Sequence, residues 1–105
     1  MMLLTNKTQY GWRVVGVRGR ADAEAAEELE TTLKAAVAEH PKVAADLSGV
    51  SYISSAGLRA LLEAARTASA RGAEFAVCSL SDPVKKVFDM SGMHHFLRIH
   101  GELPC

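Results

Sequence analysis

The constraint that most narrows the fold is a regular change of apolar period along the chain. Trp12 to Arg18 is a run rich in β-formers that Gly19 interrupts. Ala26, Leu29, Leu33, Ala36 and Val37 then recur at helical spacing, with Asp22 as the expected N-cap and Pro41 as the stop. Val43 to Leu47 is a second strand-length run; Ser48-Gly49 reads as a turn and Val50 to Ile53 as an extended link. Leu58, Leu61, Leu62 and Ala65 form the next helical stripe, with Arg59, Glu63 and Arg66 facing out and Gly72 as the stop. Glu74 to Cys78 is a third strand. Asp82 is the expected N-cap of a short helix, with Pro83 at its first position. Val84, Val87 and Phe88 are its inward side, and Gly92 ends it. Phe96 to Ile99 is read as the last strand. Strand and helix in strict turn predict an α/β domain of parallel strands joined by right-handed crossovers. Met2 to Thr8 can pair back on Trp12 to Val17 around Tyr10-Gly11, which makes the sheet mixed. Trp12 is expected to pack against the sheet, and Met90, Met93 and Phe96 to fill the core.

A chain of 105 residues suits one such domain, read here as residues 1–105. Twelve basic residues balance twelve acidic ones. That neutrality excludes bulk electrostatic capture of nucleic acid or anionic membrane. No apolar run reaches membrane-spanning length, and Met1 to Leu4 is too short for a signal-peptide core. Cys78 and Cys105 have neither metal-ligand nor redox spacing, which fits a reducing cytoplasm. The charge is nonetheless segregated. Ala21 to His40 holds six acids (Asp22, Glu24, Glu27, Glu28, Glu30, Glu39) against one base, Lys34. Acids near a helix N-terminus are favoured by its dipole, so a solvated helix face explains most of them.

Enzyme signatures are missing. There is no Gly-x-Gly-x-x-Gly after a strand and no phosphate-binding Gly-x-x-x-x-Gly-Lys loop. Ile53 replaces the first glycine that a serine-nucleophile elbow around Ser55 would need. His94, His95, His100 and Cys105 gather near the end of the chain, but adjacent histidines point apart, and no metal or cofactor is assigned. The informative segment is Ser54 to Leu58. Two hydroxyls stand where an extended link becomes a helix. One of them acts as an N-cap. Gly57 in the first turn costs about 1 kcal/mol against Ala, so something must approach it closely. A hydroxyl at a helix N-terminus is also suited to carry a phosphate, beside unpaired N–H groups and the positive dipole end.

Asp46 to Val50, the link to Ile53, and Ser54-Ser55-Ala56-Gly57-Leu58 together resemble the signature of STAS domains, the bacterial anti-sigma factor antagonists and their relatives. Gly19 to Asp22 is similar to the family's first strand–helix junction, and Arg71 to Phe75 to its turn into the next strand. Ser81 to Phe88 and Met90 to Met93 resemble its third helix and exit. The ordered set covers nearly the whole chain. The resemblance implies a mixed sheet of about four to five strands with helices mainly on one face. It also implies a regulator rather than an enzyme. An unphosphorylated antagonist binds an anti-sigma factor that is itself a serine kinase; phosphorylation at the start of the second helix breaks the complex, and a PP2C-type phosphatase restores it. ATP and magnesium belong to the kinase.

One position departs from the pattern. Family members carry Asp-Ser-Ser-Gly or Asp-Ser-Thr-Gly, and the residue before Gly is phosphorylated. That residue is Ala56 here, and Ser54 stands in place of the Asp. The acceptor therefore moves to Ser55, with Ser54 as second choice. Asp22 and Asp46 are expected at one sheet edge, and with Ser54, Ala56, Gly57 and Arg59 they make up the expected partner-binding set. The protein is expected to be a monomer when free. A STAS scaffold that is never phosphorylated, and a small-ligand or nucleotide sensor, remain alternatives.

Overall fold

The computed structural model describes residues 1–101. Strands β1 (Met2–Gln9) and β2 (Trp12–Ala21) form an antiparallel hairpin through Tyr10 and Gly11, both with positive φ. Helix α1 (Ala26–Glu39), strand β3 (Lys42–Ile53), helix α2 (Ser55–Arg71), strand β4 (Glu74–Cys78), helix α3 (Asp82–Ser91), a short 3-10 turn (Met93–His95) and strand β5 (Arg98–His100) follow. The strands lie in sequence order, β1-β2-β3-β4-β5. Every pair after the hairpin is parallel, so each helix is a crossover.

Alternation along the strands divides the core in two. Val15, Val17, Val43, Ala45, Leu47, Phe75 and Val77 point to the helical side, where Leu29, Leu33, Leu61, Val84 and Phe88 meet them. Trp12, Val14, Ala44, Ala76 and Cys78 form a smaller cluster on the other face, to which no helix contributes. This face is shielded by long polar side chains. Lys42 Nζ sits 5.9 Å from the centre of the Trp12 ring, and Arg98 pairs with Glu74 at 2.9 Å across β4 and β5. Aliphatic stems cover apolar surface while their charged heads stay wet. The helices thus occupy one face, and Trp12 packs on the other.

Several local expectations change. α1 begins at Ala26, four residues after Asp22. A turn intervenes because Asp22 Oδ1 accepts from the Ala25 N–H (3.0 Å), while the Asp22 carbonyl accepts from Ala26 (3.0 Å). Asp22 therefore caps the turn that feeds the helix. Ser48-Gly49 does not end a strand. β3 runs through it, and its register against β2 slips between Gly16 and Arg18 and again between Gly19 and Arg20. These are β-bulges: Asp46 Oδ1 accepts from the Ser48 N–H at 3.0 Å, a turn-like bond inside a strand. The N-cap of α3 is Ser81, not Asp82, which is the first helical residue. Ser81 Oγ donates instead to the Val50 carbonyl at 2.6 Å, tying α3 to β3.

The buried stripe of α2 is Gly57, Leu58, Ala60, Leu61, Ala64 and Ala68; Leu62 and Ala65 are only partly covered. Small residues let α2 sit close to α1 and the sheet, and that closeness outweighs the pull of the larger Leu62. β5 starts at Arg98, leaving Phe96 outside it and 69% exposed. Met93 is buried as expected, whereas Met90 and Phe96 lie on the surface. Gly72 and Gly92 close α2 and α3 in the left-handed region, φ 75° and 72°. Among the described residues, no helix is long and apolar enough to cross a membrane.

Candidate functional site

β2 and β3 run parallel and end side by side, Ala21 opposite Ile53. Ser54 is the residue after that pair, and it locks the junction. Its N–H donates to the Ala21 carbonyl at 2.9 Å, and its hydroxyl donates to the same carbonyl at 3.2 Å. Ser54 Oγ also accepts from the Gly57 N–H at 3.1 Å, the N-cap bond of α2. The Ser54 hydroxyl is thus committed as both donor and acceptor. Ser54→Ala should lower stability by about 1 kcal/mol. Thermal denaturation should show a fall in Tm of roughly 4–8 °C.

Gly57 explains itself here. A Cβ at this position would stand 2.7 Å from the Ala21 carbonyl oxygen and 2.8 Å from Ile53 Cγ1. The first turn of α2 can reach the end of β2 only without a side chain. Gly57 is buried and serves this closeness.

Ser55 differs from Ser54 in every respect. It is the first residue of α2, it is exposed, and its hydroxyl has no hydrogen-bond partner among the described residues. The Gly57 and Leu58 N–H groups are taken by the Ser54 hydroxyl and carbonyl. Those of Ser55 and Ala56 have no partner inside the helix, which leaves two donors at the positive dipole end. Arg59 lies one turn on, at i+4 from Ser55, and is exposed, with no carboxylate within ion-pair distance among the described residues.

Ala56 and Arg59 also line a groove of about 410 Å³ between α1 and α2, whose other wall carries Glu27 and Glu30, with Glu63 further along. Two of these acids are partly engaged. Glu30 holds Lys34 at 2.8 Å, and that hydrogen bond raises the lysine's pKa above its ordinary value; Glu63 pairs with Arg66 at 3.3 Å. Asp22 follows Ala21 directly and so belongs to the same corner. Beyond its capping bond, it approaches Arg20 at 4.0 Å, and Arg20 lies 4.3 Å over the Tyr52 ring. Sequence reading missed Arg20 and Tyr52. An outward aromatic on a strand otherwise lined inward by aliphatics was the available signal.

Asp46 is not brought to this corner. It lies mid-strand, seven residues before Ile53, with about 20 Å of chain between them. Its side chain faces the helix-free side, where it lines a shallow cleft with Thr5, Gly16 and Arg18. The expected shared edge for Asp22 and Asp46 fails because β3 continues past the turn-like Ser48-Gly49. His94 and His95 do not point apart as expected: the 3-10 turn brings their rings together, centres 4.2 Å apart and tilted by 40°. Among the described residues no three metal-ligating side chains converge, and Cys105 lies outside those residues.

Residues 4–103 match the STAS domain family. A relative from Bordetella bronchiseptica, the candidate anti-sigma factor antagonist BtrV, is 36% identical over 92 residues, 87% of this chain and 79% of the relative. The crystal structure of an anti-sigma factor antagonist from Mycobacterium paratuberculosis superposes with a TM-score of 0.83 at 26% identity, covering 98% of this chain and 88% of that one. Unphosphorylated SpoIIAA superposes with a TM-score of 0.75 at 19% identity, over 95% of this chain and 90% of that one. Its phosphorylated form from Bacillus gives 0.70 at 18%, over 95% and 93%. At that identity the likeness to SpoIIAA is one of fold. The chain belongs to the STAS domain family. Within that family it falls with the anti-sigma factor antagonists, a group of regulators.

Proposed function

We propose that this protein works by partner switching. It binds an anti-sigma factor serine kinase while Ser55 is unmodified, and phosphorylation of Ser55 releases it. A PP2C-type phosphatase resets the cycle. The observation that carries the choice of acceptor is the contrast between two neighbouring hydroxyls. Ser54 is bonded on both sides, whereas Ser55 is exposed and unpartnered at the helix start. Ser55 Oγ attacks the γ-phosphorus of kinase-bound ATP, its proton passes to a base of the kinase, and ADP departs. The chain itself is the acceptor and not the catalyst, in a cytoplasmic setting, as one domain over residues 1–105 and a monomer when free.

The docking surface is the corner formed by Asp22, Ser54, Ala56, Gly57 and Arg59, with the α1–α2 groove beside it. Of this set Gly57 acts by letting the backbone close up, and Asp46 stands apart. Phosphorylation adds roughly 1.5 to 2 negative charges and three acceptor oxygens. The Ser55 and Ala56 N–H groups, unpaired within the helix, and the nearby Arg59 support a phosphate there without a change of fold.

The test is incubation with the cognate kinase and ATP, followed by mapping of the modified peptide. One phosphate should appear on Ser55, persist in Ser54→Ala and vanish in Ser55→Ala. No incorporation into the wild type, or incorporation that survives both substitutions, contradicts the switch. A second reading rests on Ala56, which lacks the hydroxyl expected before Gly57: a scaffold that binds without ever being phosphorylated. Full regulation by the double Ser54→Ala, Ser55→Ala protein would favour it.

A further inference from the structure

The end of the sheet opposite Ser55 holds a second cleft, of about 440 Å³, between the β1–β2 hairpin and the flank of α1. Eight residues separate Arg13 from Ala21 along β2, about 26 Å of extended strand, so the two regions are independent. Arg13 is on the helical side of the sheet, on the same strand face as Val15 and Val17. Asn6 comes from the same side of β1, diagonal to it in the hairpin register. α1 provides Thr32, with Glu39 and His40 at its C-terminal end. The small Ala35 and Ala36 leave the space open.

The guanidinium is the unusual element. Arg13 Nε is shut off from solvent, and among the described residues it has no hydrogen-bond partner and no carboxylate lies within ion-pair distance of the side chain. The sealed Nε is beyond a ligand's reach, so an incoming anion meets the terminal Nη groups, which are not shut off and carry unpaired donors among the described residues. Guanidinium has donors only, in a planar fork matched to an oxyanion. The neighbouring Thr32 hydroxyl and Asn6 amide can complete such a contact. Glu39 restricts the choice. A carboxylate on the same wall disfavours a dianion and favours a ligand that also carries a cation. The volume lies in the range of small-molecule sites.

We propose that this cleft binds a small zwitterion with one carboxylate and one ammonium, of the free amino acid class. The carboxylate seats on Arg13 and the ammonium faces Glu39. The test is amide chemical-shift titration of the intact protein with L-glutamine, acetate and inorganic phosphate. L-glutamine should shift Asn6, Arg13 and Thr32 saturably, and acetate should do so more weakly. Arg13→Gln should weaken L-glutamine at least tenfold. Arg13→Lys, which keeps the charge and loses the fork, serves the same purpose should the first variant unfold. Glu39→Gln should weaken L-glutamine while sparing acetate. No saturable shift with L-glutamine, or shifts indifferent to both Arg13 variants, overturns the site. Tighter binding of phosphate than of L-glutamine overturns the role given to Glu39.

Discussion

Ser55→Asp should bind the cognate kinase roughly ten- to a hundredfold more weakly than the wild type, while its Tm stays within a few degrees. The argument is local. Ser55 is exposed and makes no bond that the substitution would remove. An acidic residue in the first turn of a helix is tolerated or favoured by the dipole, so stability is spared. The partner meets a different surface. Glu27, Glu30 and Glu63 already line the adjoining groove, and Arg59 is the one cation among its described lining residues. A further negative charge at its mouth repels acidic groups on a partner and opposes burial against apolar ones. Calorimetric titration of the two proteins against the kinase reads this directly. Equal affinities would remove Ser55 from the interface.

Gly57→Val should be the most disruptive single change at the site, lowering stability by about 3 kcal/mol. The corresponding fall in Tm is roughly 12–24 °C. Two effects compete. Replacing a helical glycine ordinarily gains up to about 1 kcal/mol. Here the new Cβ would press on the Ala21 carbonyl at 2.7 Å and on Ile53 Cγ1 at 2.8 Å. The carbonyl is backbone in a paired strand and cannot swing aside, so the steric cost wins. Circular dichroism melting tests it, and an unchanged or raised Tm would contradict the close approach of α2 to β2. Because Ala21 also anchors Ser54, the same variant should lose kinase binding at temperatures where it remains folded.

The element order and the mixed sheet are legible because each segment keeps its period. Val15 and Val17 alternate inward, and Leu29, Leu33, Ala36 and Val37 hold a helical stripe without interruption. What fails is decided by partners distant in sequence. Ser48-Gly49 has the composition of a turn, but β2 supplies a bonded neighbour and the turn becomes a bulge. That one difference moves Asp46 from the edge to the middle of a strand and from the site to the far face. Leu62 looks more core-like than Ala64, yet the spacing of α2 to its neighbours is set by alanines. At the site, the spacing announces a helix start with two hydroxyls but does not rank them. The ranking depends on the Ala21 carbonyl, which arrives from 33 residues away.

The double grip of Ser54 has a consequence for hydrogen exchange. Helix starts ordinarily fray, and their amides exchange quickly. Here the Ser54 and Gly57 amides are bonded to a strand carbonyl and to the capping hydroxyl, so they should exchange slowly although they lie at a helix start. A phosphate on Ser55, next to Ser54 and two residues before Gly57, would break neither bond. Deuterium uptake at these two amides should therefore be the same before and after modification. Under the proposed partner switching, the message would be a change of electric field over a stationary backbone, limited in speed only by the turnover of the proposed kinase and phosphatase.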